Sequence, residues 1–234
     1  MAEIRIDKYL SVALSVSRTD AKALLKSGKI TADGKVVLRP ETKISETATV
    51  KYGGQELAYK KYIYILMNKP EGILSASTDK RVKTVVDILP ENLKRTGLFP
   101  VGRLDKNTTG LLIITDDGDF GHKVTSPKSL IKKQYLAGLD GKVKEEFVEI
   151  FKNGITLADG EECMPADLEI LENNHAVVTI CEGKYHQIKR MFGVVGLGVN
   201  TLKRLSIGKL TLPPTLREGE CIELSLNEIQ QIFE

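Results

Sequence analysis

A carboxylate and a guanidinium lie close together near the centre of the chain, just before a continuous apolar run. Arg103 and Asp105 are followed by Thr108 and Thr109, and residues 111–114 are all Leu or Ile. A carboxylate in such a loop can act as a nucleophile or as a general base, although Asp in a polar loop is also a common turn former. Because residues 111–114 predict a strand buried on both faces, the preceding loop would be anchored to a rigid sheet, which favours a positioned chemical group.

The elements that would position this loop lie in residues 61–234. The pattern there predicts strands over residues 62–67, 111–115, 135–139, 168–171, 176–181 and 201–207 and helices over residues 144–151 and 185–194. This order predicts an α+β domain with a mixed, mainly antiparallel sheet and flanking helices. A Gly-rich and charged stretch, residues 53–61, separates it from a smaller domain that we assign to residues 1–60.

The smaller domain contains a basic helix. Residues 1–60 hold 11 Lys and Arg against seven Asp and Glu, whereas the rest of the chain is nearly neutral. Ser17 and Asp20 predict a capping box at the start of a helix, and Gly28 predicts its end. Cations recur at helical spacing on this helix and just after it: Arg18, Lys22, Lys26 and Lys29. The turn Asp33-Gly34 then predicts a short hairpin.

Residues from Arg5 to Val37 resemble the S4-type RNA-binding domain, a small helix-helix-hairpin module. The resemblance implies an RNA partner and phosphate contacts from five cations: Lys8, Arg18, Lys22, Lys26 and Lys29. Such contacts supply affinity and orientation with little sequence information, and they weaken steeply with salt.

Four motifs of the larger domain resemble those of the pseudouridine synthases. They are Lys-Pro-Glu-Gly at residues 69–72, Gly-Arg-Leu-Asp at residues 102–105 followed by Thr and Gly-Leu, Lys-x-Tyr at residues 133–135, and a basic segment at residues 182–192. Their order matches the family, and the resemblance covers almost the full domain. It implies that Asp105 is the catalytic carboxylate, that Tyr135 faces the target base, and that Lys189 is the basic partner of Asp105.

The resemblance implies an isomerisation. Uridine exchanges its bond from ribose to base nitrogen for a bond from ribose to base carbon, and neither an external reagent nor a cofactor is used. Asp105 would act as a nucleophile at the anomeric carbon or as a base at the ribose 2′ position, and the sequence leaves both roles open. Lys189 and Arg190 are neighbours on a predicted helix, so either could pair with Asp105. The motif register favours Lys189.

The same resemblance predicts a pocket for the base and contacts to the RNA. Tyr135 and Ile188 would enclose the detached uracil from opposite sides. Because the target nucleotide must be flipped or already unpaired, Arg103 and Lys69 would hold the RNA backbone or fill the gap that it leaves.

The expected substrate is ribosomal RNA. Three segments, residues 115–118, 125–127 and 182–187, resemble most the branch that modifies small-subunit ribosomal RNA, either as free RNA or within an assembly particle. A synthase for large-subunit or transfer RNA and a non-catalytic assembly factor are the alternatives. A nucleoside or glycoside hydrolase is a further one, although hydrolysis calls for a second carboxylate or a metal to activate water.

Composition argues against several other classes of site. The three cysteines, Cys163, Cys181 and Cys221, are widely spaced, and the chain has three scattered histidines. We therefore predict neither a disulfide framework nor a metal site. The chain has no run of about 18 apolar residues and no apolar N-terminal targeting segment. We expect a monomeric cytoplasmic protein with no membrane partner.

Overall fold

The computed structural model describes residues 3–234, which form two compact units. The first unit runs to Tyr62 and includes Lys94–Thr96, and the second comprises Ile63–Leu93 and Gly97–Glu234. The packing boundary thus lies two residues after the boundary that we assigned from the sequence. Within residues 3–234 the helices are too short or too polar to cross a lipid bilayer.

The first unit combines two helices with short strands. The helices are α1 (Ile6–Ala13) and α2 (Arg18–Lys26), and the strands are β1 (Glu3–Arg5), β2 (Ile30–Ala32), β3 (Lys35–Val36), β4 (Lys43–Ser45), β5 (Val50–Tyr52) and β6 (Gln55–Glu56). Strand β1 pairs with β4, and the order β3-β2-β5-β6 forms a second sheet. The buried apolar side chains of the helices and strands share one core.

The predicted helix and hairpin of this unit are confirmed. Ser17 caps α2, because its Oγ accepts a hydrogen bond from the Asp20 backbone N at 3.1 Å. Gly28 follows the helix with a φ of +72°. Asp33 and Gly34 both have positive φ and form the turn between β2 and β3, a backbone conformation that Asp and Gly tolerate better than most residues.

The second unit is built on one large sheet. Its strands are β7 (Tyr64–Lys69), β8 (Phe99–Val101), β9 (Thr108–Thr115), β10 (Lys133–Leu139), β11 (Asp167–Ile170), β12 (His175–Ile180), β13 (Val199–Ile207), β14 (Leu210–Thr211) and β15 (Cys221–Glu223). The helices are α3 (Gly118–Thr125), α4 (Glu146–Lys152), α5 (Gln187–Val194) and α6 (Leu226–Gln230), and 3₁₀ turns lie at Glu91–Leu93, Pro127–Ser129 and Gln231–Phe233.

The sheet is mixed and mainly antiparallel, so the predicted fold class is confirmed. Its strand order is β11-β12-β10-β13-β9-β7-β15, with β14 beside β13 and β8 beside β9. Strands β9 and β13 pair in parallel, whereas the other neighbours along this order pair antiparallel.

Strand β9 is buried on both faces, as residues 111–114 predict. Leu112 and Ile114 belong to one apolar cluster, Leu111 and Ile113 belong to another, and all four are fully buried. Removal of each such side chain from water contributes about 1.5–3 kcal/mol. The strand is therefore a rigid support for the loop that carries Asp105.

Strand β9 begins at Thr108, three residues earlier than predicted. Thr108, Thr109 and Gly110 resemble a turn in sequence, but they pair in parallel with residues 202–204 of β13. Gly110 has a φ of +99°, and a Cβ atom there would lie 2.3 Å from the Arg204 carbonyl oxygen. Only glycine allows the two backbones to approach this closely.

Gly110→Ala is expected to lower the free energy of unfolding by about 4 kcal/mol, since positive-φ strain and a backbone clash each cost about 1–3 kcal/mol. Urea unfolding followed by circular dichroism measures the loss. Gly219→Ala is the matched control, because Gly219 also has a positive φ, of +85°, but a Cβ atom there meets nothing within 4 Å. Equal losses in the two variants would show that the approach to Arg204 is not the cause.

Candidate active site

The loop that carries Asp105 is fixed through its backbone. The Ser75 hydroxyl donates to the Leu104 carbonyl at 2.9 Å and accepts from the Leu104 N at 3.2 Å. The Thr108 N donates to the Asp105 carbonyl at 3.0 Å, and the Gly72 N donates to the Lys106 carbonyl at 2.9 Å. These bonds are made to backbone atoms of Leu104, Asp105 and Lys106, so none of them uses the Asp105 carboxylate.

Lys69 also fixes this loop, which corrects its predicted role as a substrate contact. Its side chain is completely buried, and its Nζ donates to the carbonyl oxygens of Pro70, Lys106 and Thr108 at 3.0–3.1 Å. Burial lowers the pKa of Lys69 to about 8, although the negative charge of Asp105 opposes this shift. The ammonium group thus joins the end of β7 to the loop and does not reach RNA.

Lys69→Met is expected to change the pH dependence of unfolding. Between the folded pKa of about 8 and the ordinary value of 10.5, the unfolded chain binds one more proton than the folded chain. The contribution of Lys69 to the free energy of unfolding therefore rises with pH between these two values. The wild-type protein should gain about 2 kcal/mol relative to the variant between about pH 7.5 and pH 10, as measured by urea unfolding.

Lys128→Met is the control for this measurement, because it removes an exposed ammonium group. Its stability difference from the wild type should be flat across the same pH range. Parallel curves for the wild-type protein and Lys69→Met would contradict the assignment of a buried, pH-sensitive ammonium group to Lys69.

Asp105 lies at a cavity of about 70 Å³ in the second unit. The residues that line it come from the Asp105 loop, β9, β10, the end of β12, the segment before α5, α5 itself and β13: Arg103, Leu104, Asp105, Thr108, Tyr135, Ile180, Gly183, Lys184, His186, Gln187, Ile188, Lys189 and Leu202. Five of the six predicted site residues of this domain are among them. Asp105 is the sole carboxylate in this lining, so the second acid that hydrolysis usually requires is not part of it.

Two cationic or titratable side chains face the Asp105 carboxylate. Lys189 Nζ lies 3.3 Å from Oδ2, and His186 Nε2 lies 3.5 Å from Oδ1. Arg190 instead pairs with Asp159 and Glu161, and its hydrogen bond to Glu161 lowers the pKa of that carboxyl. Adjacent helical residues point about 100° apart, which explains why only Lys189 of this pair faces Asp105.

The segment before α5 is held by side-chain hydrogen bonds. The buried Glu182 carboxylate accepts from the Gln187 amide at 2.7 Å and from the Met164 N at 2.8 Å. Gln187 in turn accepts from the Lys184 N at 3.0 Å. His186 has a φ of +49°, so α5 begins at Gln187, two residues later than predicted.

Arg204 of β13 is a site residue that sequence reasoning missed. It is 3% exposed, its Nε donates to the Leu111 carbonyl at 2.7 Å, and its Nη1 donates to the Tyr135 hydroxyl at 3.4 Å. Because a guanidinium group has only donors, the proton of Tyr135 must point away from Arg204. No pattern in the sequence of β13 marks Arg204, because its burial depends on Leu111 and Tyr135, which are distant in sequence.

The lysine of the Lys-x-Tyr motif lies beside this group. Lys133 is buried, and its Nζ donates to the Ile131 carbonyl at 2.9 Å. Burial lowers the pKa of Lys133 to about 8, and the positive charge of Arg204 adds to this effect. Lys133 therefore supports the start of β10, while Tyr135 faces the cavity.

The predicted RNA-contacting cations of the first unit are exposed, with one difference among them. Lys8, Lys22, Lys26 and Lys29 have exposed side chains. Arg18 is also exposed, but its Nη2 lies 2.7 Å from the carboxylate of the buried Asp7. Burial opposes ionisation of Asp7, yet Arg5 and Arg18 together lower its pKa. The charge of Arg18 is thus partly neutralised by an ion pair within the domain.

Comparison with known families accounts for both units. A model described as RNA pseudouridylate synthase matches residues 63–193, and a model of the S4 domain matches residues 4–50. The chain belongs to the RNA pseudouridylate synthase family. The predicted resemblance, the isomerase activity and the S4-type domain are therefore confirmed, and RNA is the substrate of this synthase.

Individual relatives match over nearly their whole length. The ribosomal small subunit pseudouridine synthase A of Vibrio cholerae is 40% identical over 98% of this synthase and 100% of the relative, and that of Escherichia coli is 36% identical over the same shares. An uncharacterized RNA pseudouridine synthase of Bacillus subtilis, YtzG, is 39% identical over 99% of both chains. A crystal structure of a pseudouridylate synthase matches with a TM-score of 0.69, 33% identity and 98% and 99% coverage.

Proposed function

We propose that this synthase converts a specific uridine of small-subunit ribosomal RNA into pseudouridine. The names of the Vibrio cholerae and Escherichia coli relatives support this substrate, because both relatives are similar over the full length of the chain, including the S4 domain. The observation that carries the chemistry is the position of Asp105, whose carboxylate lies at a small cavity beside Lys189.

The proposed role of Asp105 is attack on the ribose of the target uridine. The bond between ribose C1′ and uracil N1 breaks, C1′ then bonds to uracil C5, and the proton lost from C5 is balanced by one gained at N1. Asp105 serves as nucleophile at C1′ or as base at the 2′ position, and both roles need an ionised carboxylate. The Lys189 ammonium group lies 3.3 Å from that carboxylate and forms an ion pair with it.

Tyr135 and Ile188 are proposed to retain the detached uracil. Both side chains are almost completely buried yet line the cavity, so they offer the base apolar surface within reach of Asp105. Arg204 donates a hydrogen bond to the Tyr135 hydroxyl and so helps to hold the ring in place. Arg103 is exposed at the same cavity and is suited to a phosphate or to the gap left by the flipped nucleotide.

The exposed cations of the first unit are proposed to bind RNA phosphates. Lys8, Lys22, Lys26 and Lys29 are available for this role, with a smaller share from Arg18 because of its pairing to Asp7. Such contacts position an RNA without reading its sequence. RNA affinity should therefore fall steeply as the salt concentration rises.

Chemical mapping of pseudouridine tests the proposal. Ribosomal and transfer RNA from cells with the gene, without it, and with an Asp105→Asn copy are labelled and read by reverse transcription. Loss of one modification in small-subunit RNA, in both the deletion and the variant strain, is the expected result. Loss only in large-subunit or transfer RNA would refute the substrate, and normal modification with Asp105→Asn would favour a non-catalytic assembly factor.

The proposal includes a monomeric enzyme in the cytoplasm, where it meets its RNA as free RNA or in an assembling small subunit. Mapping on naked transcripts and on isolated particles distinguishes the two forms of substrate.

A further inference from the structure

Tyr185 is unusually exposed for an aromatic residue. Its side chain is 75% exposed, the largest fraction among the large hydrophobic residues of the part of the chain that the structure describes. One face of its ring stacks on the imidazole of His186, with ring centroids 3.9 Å apart and planes inclined by 20°. With this degree of exposure, the opposite face is open to solvent.

This ring lies one side chain away from the reacting carboxylate. His186 Nε2 is 3.5 Å from Asp105 Oδ1, so the order from the cavity outward is Asp105, His186 and Tyr185. His186 lines the cavity, whereas Tyr185 lies beyond it. The stacked pair of His186 and Tyr185 thus extends the active site from the cavity outward along the surface.

The backbone that presents Tyr185 is fixed. Arg190 Nη1 donates to the Tyr185 carbonyl at 3.2 Å, and the Arg190 guanidinium group is itself paired with Asp159 and Glu161. On the other side of Tyr185, the Lys184 N donates to Gln187, and the Lys184 Nζ donates to the Glu162 carbonyl at 2.6 Å. An apolar ring held outward on such a rigid segment is organised for contact with another planar group.

We infer that Tyr185 is a stacking platform for the RNA base next to the target uridine, an inference that rests on the proposed function. The target base must leave its stack to reach Asp105, and its neighbour then loses a stacking partner. A rigid aromatic ring beside the cavity replaces that partner. Stacking on a π-face accepts any base, so Tyr185 secures the position of the RNA and leaves recognition of its sequence to other contacts.

Single variants give the first test, with a synthetic RNA that spans the mapped uridine. Tyr185→Ala and Tyr185→Leu are expected to weaken RNA affinity about tenfold, because Leu keeps apolar surface but has no aromatic plane. Tyr185→Phe should bind within about twofold of the wild type. The single-turnover rate at saturating RNA should stay within about threefold in all three. Leu226→Ala, which removes another exposed apolar side chain, 66% exposed and outside the cavity lining, is the control.

A double-mutant cycle then identifies the contact. RNAs with an abasic residue immediately before or after the target uridine are compared on the wild-type protein and on Tyr185→Ala. One of the two abasic RNAs should bind the wild-type protein about tenfold more weakly than the intact RNA does. On Tyr185→Ala, that abasic RNA and the intact RNA should bind with equal affinity. Equal affinity of Tyr185→Ala and wild type, or additive losses in both RNAs, would overturn the inference while leaving the proposed function intact. If the mapping finds no uridine whose modification depends on the protein, the proposed function and the inference about Tyr185 both fail.

Discussion

Asp105→Asn is expected to slow pseudouridine formation at least about 1,000-fold while RNA affinity changes by less than about twofold. The amide can neither attack the ribose nor accept its proton at a useful rate, whereas the loop keeps its shape because Ser75, Gly72 and Lys69 bind only backbone atoms. Single-turnover conversion of substrate RNA measures the rate, and filter binding measures the affinity.

Asp119→Asn is the matched control, since it neutralises an exposed carboxylate in the first turn of α3. It should convert RNA at the wild-type rate. Conversion by Asp105→Asn at more than about a tenth of the wild-type rate would eliminate the carboxylate as the reacting group. The cavity would then need another nucleophile or base.

Lys189→Met is expected to lower the same rate about 100-fold. The Lys189 ammonium group forms an ion pair with the Asp105 carboxylate at 3.3 Å, and methionine keeps the length of the side chain without the charge. Lys189→Arg should retain most of the activity. The measurement is the single-turnover rate at saturating RNA, which separates the chemical step from binding.

Arg190→Met is the informative comparison for Lys189, because the two residues are adjacent but face different partners. Arg190 binds Asp159, Glu161 and the Tyr185 carbonyl. Its removal should weaken RNA binding and lower the free energy of unfolding, with less than about a tenfold effect on the saturated rate. Equal losses of rate in Arg190→Met and Lys189→Met would contradict a specific role for Lys189 at Asp105.

Sequence motifs anticipated the centre of the site better than its supports. The motif order implies how the segments meet. As it implies, one cavity is lined by Asp105, Tyr135, Ile188 and Lys189. The motif register also favoured Lys189 over Arg190. Helical geometry explains that choice, since neighbouring residues on a helix cannot both face one carboxylate.

The supports depend on partners that are distant in sequence. Lys69 is buried because three carbonyl groups converge on its ammonium, two of them 37 and 39 residues away. Arg204 meets Tyr135 across 69 residues. No local pattern distinguishes such a buried cation from one that contacts RNA, so only the assembled sheet reveals the difference.

The parallel pairing of β9 with β13 has a consequence for how the protein is made. The backbone next to Asp105 is completed by residues 202–204, and β7 acquires its outer neighbour only from Cys221–Glu223. A nascent chain that is still missing these strands has no finished catalytic centre. Contacts between distant segments also form slowly. Translation must therefore have passed Cys221–Glu223 before the first uridine is modified.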